Sequence, residues 1–320
     1  MATLTSEPDS LVAVRPPKST LGASALGAGT LNCLSVDVEE CFHCEAFQAR
    51  VSQSEWARLE SRAVPFLEQV GLWLDEHGSR ATFFVLGWMA QRARSALAAL
   101  AAAGHEIASH GYGHQHLRRL TAQKLREDLR RARGAIEDAL GVTPLGYRAP
   151  TFSITSETAW ALDVLCEEGF AYDASIFPIH HDRYGVPQAP DRPFAAVTPA
   201  GSRIVEFPAF TCRVGPLRLP MAGGGYMRLL PGWAMRAALR RAQAQRRPVM
   251  LYLHPWELDP DQPRLPAGLV TTWRHRVGLK TTRPKLLRLL AEFWFDTAAA
   301  VLSRCTENVP LFDVQRSKQC

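Results

Sequence analysis

Short apolar runs alternate with longer stretches of helical periodicity over most of this chain. LNCLSVDV reads as a first buried strand. In RAVPFLEQVGLWLDEHG, Val64, Leu67, Val70, Leu72 and Leu74 form an apolar pattern at helical spacing that Gly78 ends. ATFFVLG predicts a second strand, RSALAALAAAG a helix closed by Gly104, and HEIASH a third strand. Thr121 is placed to cap TAQKLREDLRRARGAIEDALG, where Leu125, Leu129, Ala132, Ile136 and Leu140 share a face before Gly141. A short segment reaches TPLGYRAP, Thr155 or Ser156 is positioned to cap ETAWALDVLCEEG, and FAYDASIF follows as strand and turn. Residues 178–230 are rich in Pro and Gly, with short β-like runs such as RIVEFPAF. PGWAMRAALRRAQAQRR predicts a helix, PVMLYLHP a late buried strand, and PKLLRLLAEFWFDTAAAVL a final helix. Repeated alternation of this kind predicts an α/β fold with a mainly parallel sheet and right-handed crossovers.

Six polar residues fall at or just past the downstream ends of the apolar runs: Asp37, His110, His114, Arg148, Asp173 and His254. In α/β sheets and barrels such positions converge on one face, where active sites lie. Two histidines, nearby carboxylates, an arginine and a late histidine are the inventory of a metal-dependent hydrolase. The spacing of His110 and His114 in SHGYGH lets two imidazoles meet on one turn. Asp37 and Glu39 in SVDVEE alternate onto one strand face, and a buried carboxylate run needs a metal or an arginine to offset it. Each motif also has an ordinary reading: paired histidines in the core or on the surface, a solvated strand end, a surface arginine, a capping aspartate, a packed core histidine.

The 320 residues are 47% hydrophobic and 21% charged, enough for one large core of barrel size plus extensions. The net charge of +6 rests on arginines in helical stretches, which reads as solvated helix faces. No nucleic-acid recognition motif accompanies it, so nucleic acid is not an expected partner. No apolar run has the ~18 residues of a membrane span. Residues 1–30 read as a disordered tail, not a secretory signal, and residues 301–320 as a C-terminal tail. Seven cysteines without disulfide-like spacing fit a reducing cytoplasm. Cys41 and Cys44 form a CxxC, but no second pair at zinc spacing exists and no thioredoxin-like context surrounds it. The run Gly223-Gly224-Gly225 lacks the companions of a phosphate loop and reads as a tight turn bordering the site.

Taken in order, SVDVEE, SHGYGH, RAP, YDAS and LYLHPWE resemble the five motifs of the polysaccharide deacetylase family, also called the NodB-homology or carbohydrate esterase family 4 fold. RAPTFSIT, SIFPIHHDRYGVP, AGGGYMRLLP and LYLHPWELDPDQPR are similar to a subgroup found with exosortase-linked exopolysaccharide loci. The resemblance covers residues 31–300 and implies a distorted, incomplete TIM-like (β/α) barrel acting on N-acetylated sugars. It implies that Asp37 is the base, His110 and His114 the metal histidines, Arg148 the residue orienting the base, Asp173 the one tuning the acid, and His254 the acid. The family's metal aspartate would stand at Val38, so Glu39 or Glu40 replaces it, and Glu39 is the expected third ligand. A divalent metal is implied, Zn first, with Co, Mn and Ni as options. A backbone N–H near Thr151 would hold the oxyanion, and Trp256 would stack on a sugar or simply pack. The expected substrate is an N-acetylated polysaccharide or lipid-linked oligosaccharide, met in the cytoplasm or at the inner face of the membrane beside exopolysaccharide machinery. The resemblance leaves two other readings: hydrolysis of a cyclic amide, imide or ureide, as relatives on this fold perform, and a glycan-binding protein without catalysis.

Overall fold

The computed structural model describes residues 32–48, 50–181, 183–305 and 309–318; the segment read as an N-terminal tail lies outside them. In chain order the strands and helices are β1 (Asn32–Val38), α1 (Ala63–Glu76), β2 (Thr82–Val85), α2 (Gly87–Ala90), α3 (Arg94–Ala102), β3 (Glu106–Ser109), α4 (Ala122–Leu140), β4 (Gly146–Tyr147), α5 (Trp160–Glu167) and β5 (Tyr172–Asp173). Then come β6 (Phe194–Val197), β7 (Arg203–Glu206), β8 (Thr211–Val214), β9 (Leu217–Pro220), α6 (Gly225–Leu229), α7 (Gly232–Ala244) and β10 (Val249–Leu253). The chain closes with α8 (Leu269–Arg276), α9 (Leu279–Glu292), α10 (Ala298–Ser303) and β11 (Leu311–Asp313).

Nine strands form one sheet in the order β10-β1-β2-β3-β4-β5-β7-β6-β11. The strands from β10 to β7 pair in parallel, and β7 pairs antiparallel with β6. This is the mainly parallel α/β architecture of a distorted barrel, left open because β10 and β11 are its two edges. Strands β1, β2 and β10 are buried at every position, as parallel strands covered on both faces must be. Segment Leu311–Asp313, inside the expected C-terminal tail, docks on β6 as a strand.

Local sequence accounts for most of these elements. Helix α4 starts where the Thr121 hydroxyl accepts from the Lys124 N–H and ends at Gly141 in the left-handed conformation. It buries Leu125, Leu129, Ala132, Ile136 and Ala139. Helix α5 begins later than its predicted caps, because Thr155 and Thr158 first close a turn of their own. The predicted final helix is two helices. Phe293 and Phe295 both turn into the core from an extended segment whose Asp296 bridges Cys33, and Thr297 then caps α10. The apolar run is continuous there, but its period changes from helical to alternating. Gly223 packs so closely on β10 that a side-chain Cβ would lie 1.7 Å from the Tyr252 carbonyl oxygen. The glycine run therefore brings α6 against the strand that ends at His254.

Candidate metal-dependent active site

Strand ends deliver the site. Asp37 is the penultimate residue of β1, His110 follows β3, Arg148 follows β4, and His254 follows β10. Asp37, His110 and His254 face a cavity of about 500 Å³ that Thr151, Phe152, Tyr184, Tyr252 and Trp256 also line, while Arg148 is fully buried behind Asp37.

Glu39, His110 and His114 are all buried, and one ligand atom of each lies within 4.8 Å of the other two. His110 Nδ1 lies 2.8 Å from the Arg148 carbonyl oxygen. A carbonyl only accepts, so Nδ1 carries the hydrogen and Nε2 keeps its lone pair for the cavity. Burial pushes this imidazole down to about 4, against the pull of Asp37, which keeps it neutral. Glu39 Oε2 stands 2.8 Å from His114 Nε2 yet has no partner in hydrogen-bond geometry. Burial alone would raise the Glu39 carboxyl, but His114, His254 and His110 outweigh it and hold it well below the usual carboxylate range. Two imidazoles, one of them fixed in the ligating tautomer, and an ionised carboxylate with an orphaned oxygen fit a divalent ion. His114 sits at φ 48°, and the Gln48 amide nitrogen donates to its carbonyl at 2.7 Å and approaches its Nδ1 at 3.1 Å.

Glu40 points the other way. Its carboxylate accepts from Ser61 Oγ and from the backbone N–H groups of Arg62 and Ala63, closing the N-terminus of α1. Adjacent strand-end residues face opposite sides, so only one of the two glutamates reaches the histidines.

Arg148 is fully buried, with Nη1 2.6 Å from Asp37 Oδ1 and 2.9 Å from Ser35 Oγ, and Nε 3.1 Å from the Ala174 carbonyl. Its guanidinium also lies over the Phe84 ring. The arginine thus fixes one Asp37 oxygen and leaves Oδ2 toward His254 Nε2, 3.8 Å away. His254 Nε2 is 3.6 Å from Glu39 Oε1, while its Nδ1 is held by Glu257 Oε2 at 2.9 Å. Burial opposes its charge, but Glu39, Glu257 and Asp37 raise the imidazole to about 9. Glu257 is in turn held by Arg228 at 2.8 Å.

Glu257, not Asp173, is the carboxylate in contact with His254 Nδ1. Asp173 lies directly opposite Glu206 in the β5–β7 pairing and accepts from Ser175 Oγ, whose oxygen accepts from the Ala149 N–H at 2.7 Å. Burial raises the Asp173 carboxyl, and burial with the Asp173 charge raises Glu206 much further. Asp173 therefore supports the turn after Arg148 rather than His254. That turn is strained: Thr151 and Phe152 have φ of 59° and 49°, the region β-branched and bulky residues avoid.

Trp256 packs within the site. It is 6% exposed, its Nε1 donates to Glu39 Oε1 at 3.1 Å, and its ring stacks between His254 and His275. It holds the carboxylate and packs on the histidine at the cavity wall. The two CxxC thiols are free; burial pushes Cys41 up to about 12 and Cys44 well above its ordinary value. Between them His43 is buried against Trp56 and Trp88, so the segment packs as core.

An open, mainly parallel α/β sheet thus gathers at its strand ends an imidazole pair and a carboxylate that could hold a divalent ion, beside Asp37 and His254. Comparison with known proteins makes this specific. Residues 63–165 match the family model described as polysaccharide deacetylase, and residues 174–303 match one described as a domain of unknown function (DUF3473). Over that first stretch the chain is similar to polysaccharide deacetylases, and the second region covers its C-terminal part. A Helicobacter pylori peptidoglycan deacetylase is 31% identical over 102 residues, 32% of this chain and 33% of that protein. A Gibberella zeae peptidoglycan deacetylase-like protein is 30% identical over 115 residues, 36% of this chain and 32% of that one. The chain thus spans about a third of the length of these relatives. A Mycobacterium smegmatis crystal structure, described provisionally as a polysaccharide deacetylase, superposes with a TM-score of 0.56 at 22% identity, covering 92% of this chain and 96% of that one; it supports the fold.

Proposed function

We propose that this chain hydrolyses N-acetyl groups from a polysaccharide or its lipid-linked precursor. The observation that carries the reading is the convergence of Glu39, His110 and His114 beside the Asp37–Arg148 pair and His254. A divalent ion, with Zn suited to two imidazoles and a carboxylate, would supply Lewis acidity to the acetyl carbonyl and acidify water there. Asp37, aimed by Arg148 through Oδ1, takes the proton from the attacking water through Oδ2. The backbone N–H of Thr151, presented by the strained turn, is assigned to the developing oxyanion. His254 holds its proton on Nε2 because Glu257 engages Nδ1, and it gives that proton to the leaving amine. The products are acetate and the free amino sugar, which balances the consumed water.

The pH dependence follows in sign. His254 must be protonated, and its raised value keeps it so through neutral pH. A divalent charge on Glu39 offsets part of the carboxylate pull, so the loaded protein should lose its acid between the ordinary 6.5 and about 9. Acetate release from N-acetylhexosamine oligomers, followed across pH, is expected to fall in that window. A rate still climbing beyond it contradicts the role of His254. Ring opening of imides or ureides without acetate release would move the reaction to cyclic amides.

A further inference from the structure

Helix α8 contains no buried residue. Leu269, Val270 and Trp273 are 91%, 65% and 59% exposed and fall within one stripe of its two turns. Between residues 261 and 288 the chain has seven Lys and Arg residues against the single acid Asp261, an excess of six that equals the net charge of the whole chain. Arg264, Arg274 and Lys280 make no ion pair among the described residues. The same helix forms part of the cavity wall through Thr271, Arg274 and His275. Its C-terminal end is fastened by Arg228, whose guanidinium donates to the Arg274, His275 and Val277 carbonyls.

We infer that α8 is a docking element for an anionic lipid surface, which brings the cavity mouth to the headgroup level. A short apolar ridge with a tryptophan, set among unpaired cations, suits the boundary between headgroups and acyl chains. Three side chains on a two-turn helix are too few for a stable protein interface, which needs about 800 Å² on each partner. A bilayer accepts a small convex ridge because its surface is fluid and its charge is spread. Among the described residues no helix is long and apolar enough to cross a membrane, so the contact is peripheral. The inference stands on the surface of α8 and not on the reaction proposed above.

The test is flotation of the full chain with phosphatidylcholine vesicles and with mixed phosphatidylcholine–phosphatidylglycerol vesicles, at low and high salt. Binding to the mixed vesicles is expected, weakened by salt. Leu269→Ser and Trp273→Ala should each weaken it roughly tenfold or more, and Lys280→Glu should reduce it at low salt. These exposed positions lie outside the cavity, so acetate release from a soluble oligomer should be unchanged in all three variants. Loss of that release in the wild-type chain would count against the proposed reaction and leave the docking result intact. Absence of binding to the anionic vesicles, or equal binding by Leu269→Ser, overturns the inference. So does a concentration-dependent dimer that Leu269→Ser dissolves, which would make α8 a contact between copies.

Discussion

Asp37→Asn is expected to lower kcat for acetate release by roughly 10²–10⁴-fold while leaving bound metal and KM nearly unchanged. The amide keeps the shape of the side chain and can still accept from Arg148 through its oxygen, so the floor of the site stays packed. What it loses is the ability to take a proton. Arg148 is left buried without an opposite charge, and a modest drop in stability should accompany the loss of rate. Metal content, melting temperature and steady-state kinetics on one preparation separate these effects. A variant with near-normal kcat would remove Asp37 from the reaction.

The paired substitutions Glu39→Gln and Glu40→Gln have the second large effect, and they should diverge. Glu39→Gln removes the anionic ligand and the strongest upward pull on His254. Metal should be lost on dialysis, and turnover should fall by at least about 10³-fold, the share a catalytic ion contributes. Glu40→Gln should retain metal and activity. Its cost should fall on folding, by about 1–3 kcal/mol, because the carboxylate meets the open N-terminus of α1. Metal loss in the Glu40 variant with retention in the Glu39 variant would reverse the assignment of the third ligand.

The contrast between these neighbours marks how far sequence reaches. The positions of Asp37, His110, Arg148 and His254 were legible because each ends an apolar run, and parallel strands bring such ends together. The caps of α4 were legible because Thr121 and Gly141 act within a turn of their own positions. The choice between Glu39 and Glu40 depends on which side of the strand end faces the histidines, which alternation alone leaves open. The place of Asp173 opposite Glu206 is not legible, because β4 and β5 have two residues each and Glu206 stands across a Pro- and Gly-rich stretch. The signal for Glu257 lies within LYLHPWE, in the three-residue spacing from His254 that closes a capping box. The strain at Thr151 had no sequence signature, since a threonine before a phenylalanine does not announce positive φ.

Metal dependence is the centre of the account, and one measurement addresses it directly. Acetate release from N-acetylhexosamine oligomers should be compared for the purified chain, the chelator-stripped chain, and the stripped chain with Zn restored, with bound metal counted in each. Release that vanishes on stripping and returns with about one ion per chain is the predicted result. Release that survives complete stripping would contradict it, because Glu39, His110 and His114 would then be a buried cluster with no part in the chemistry.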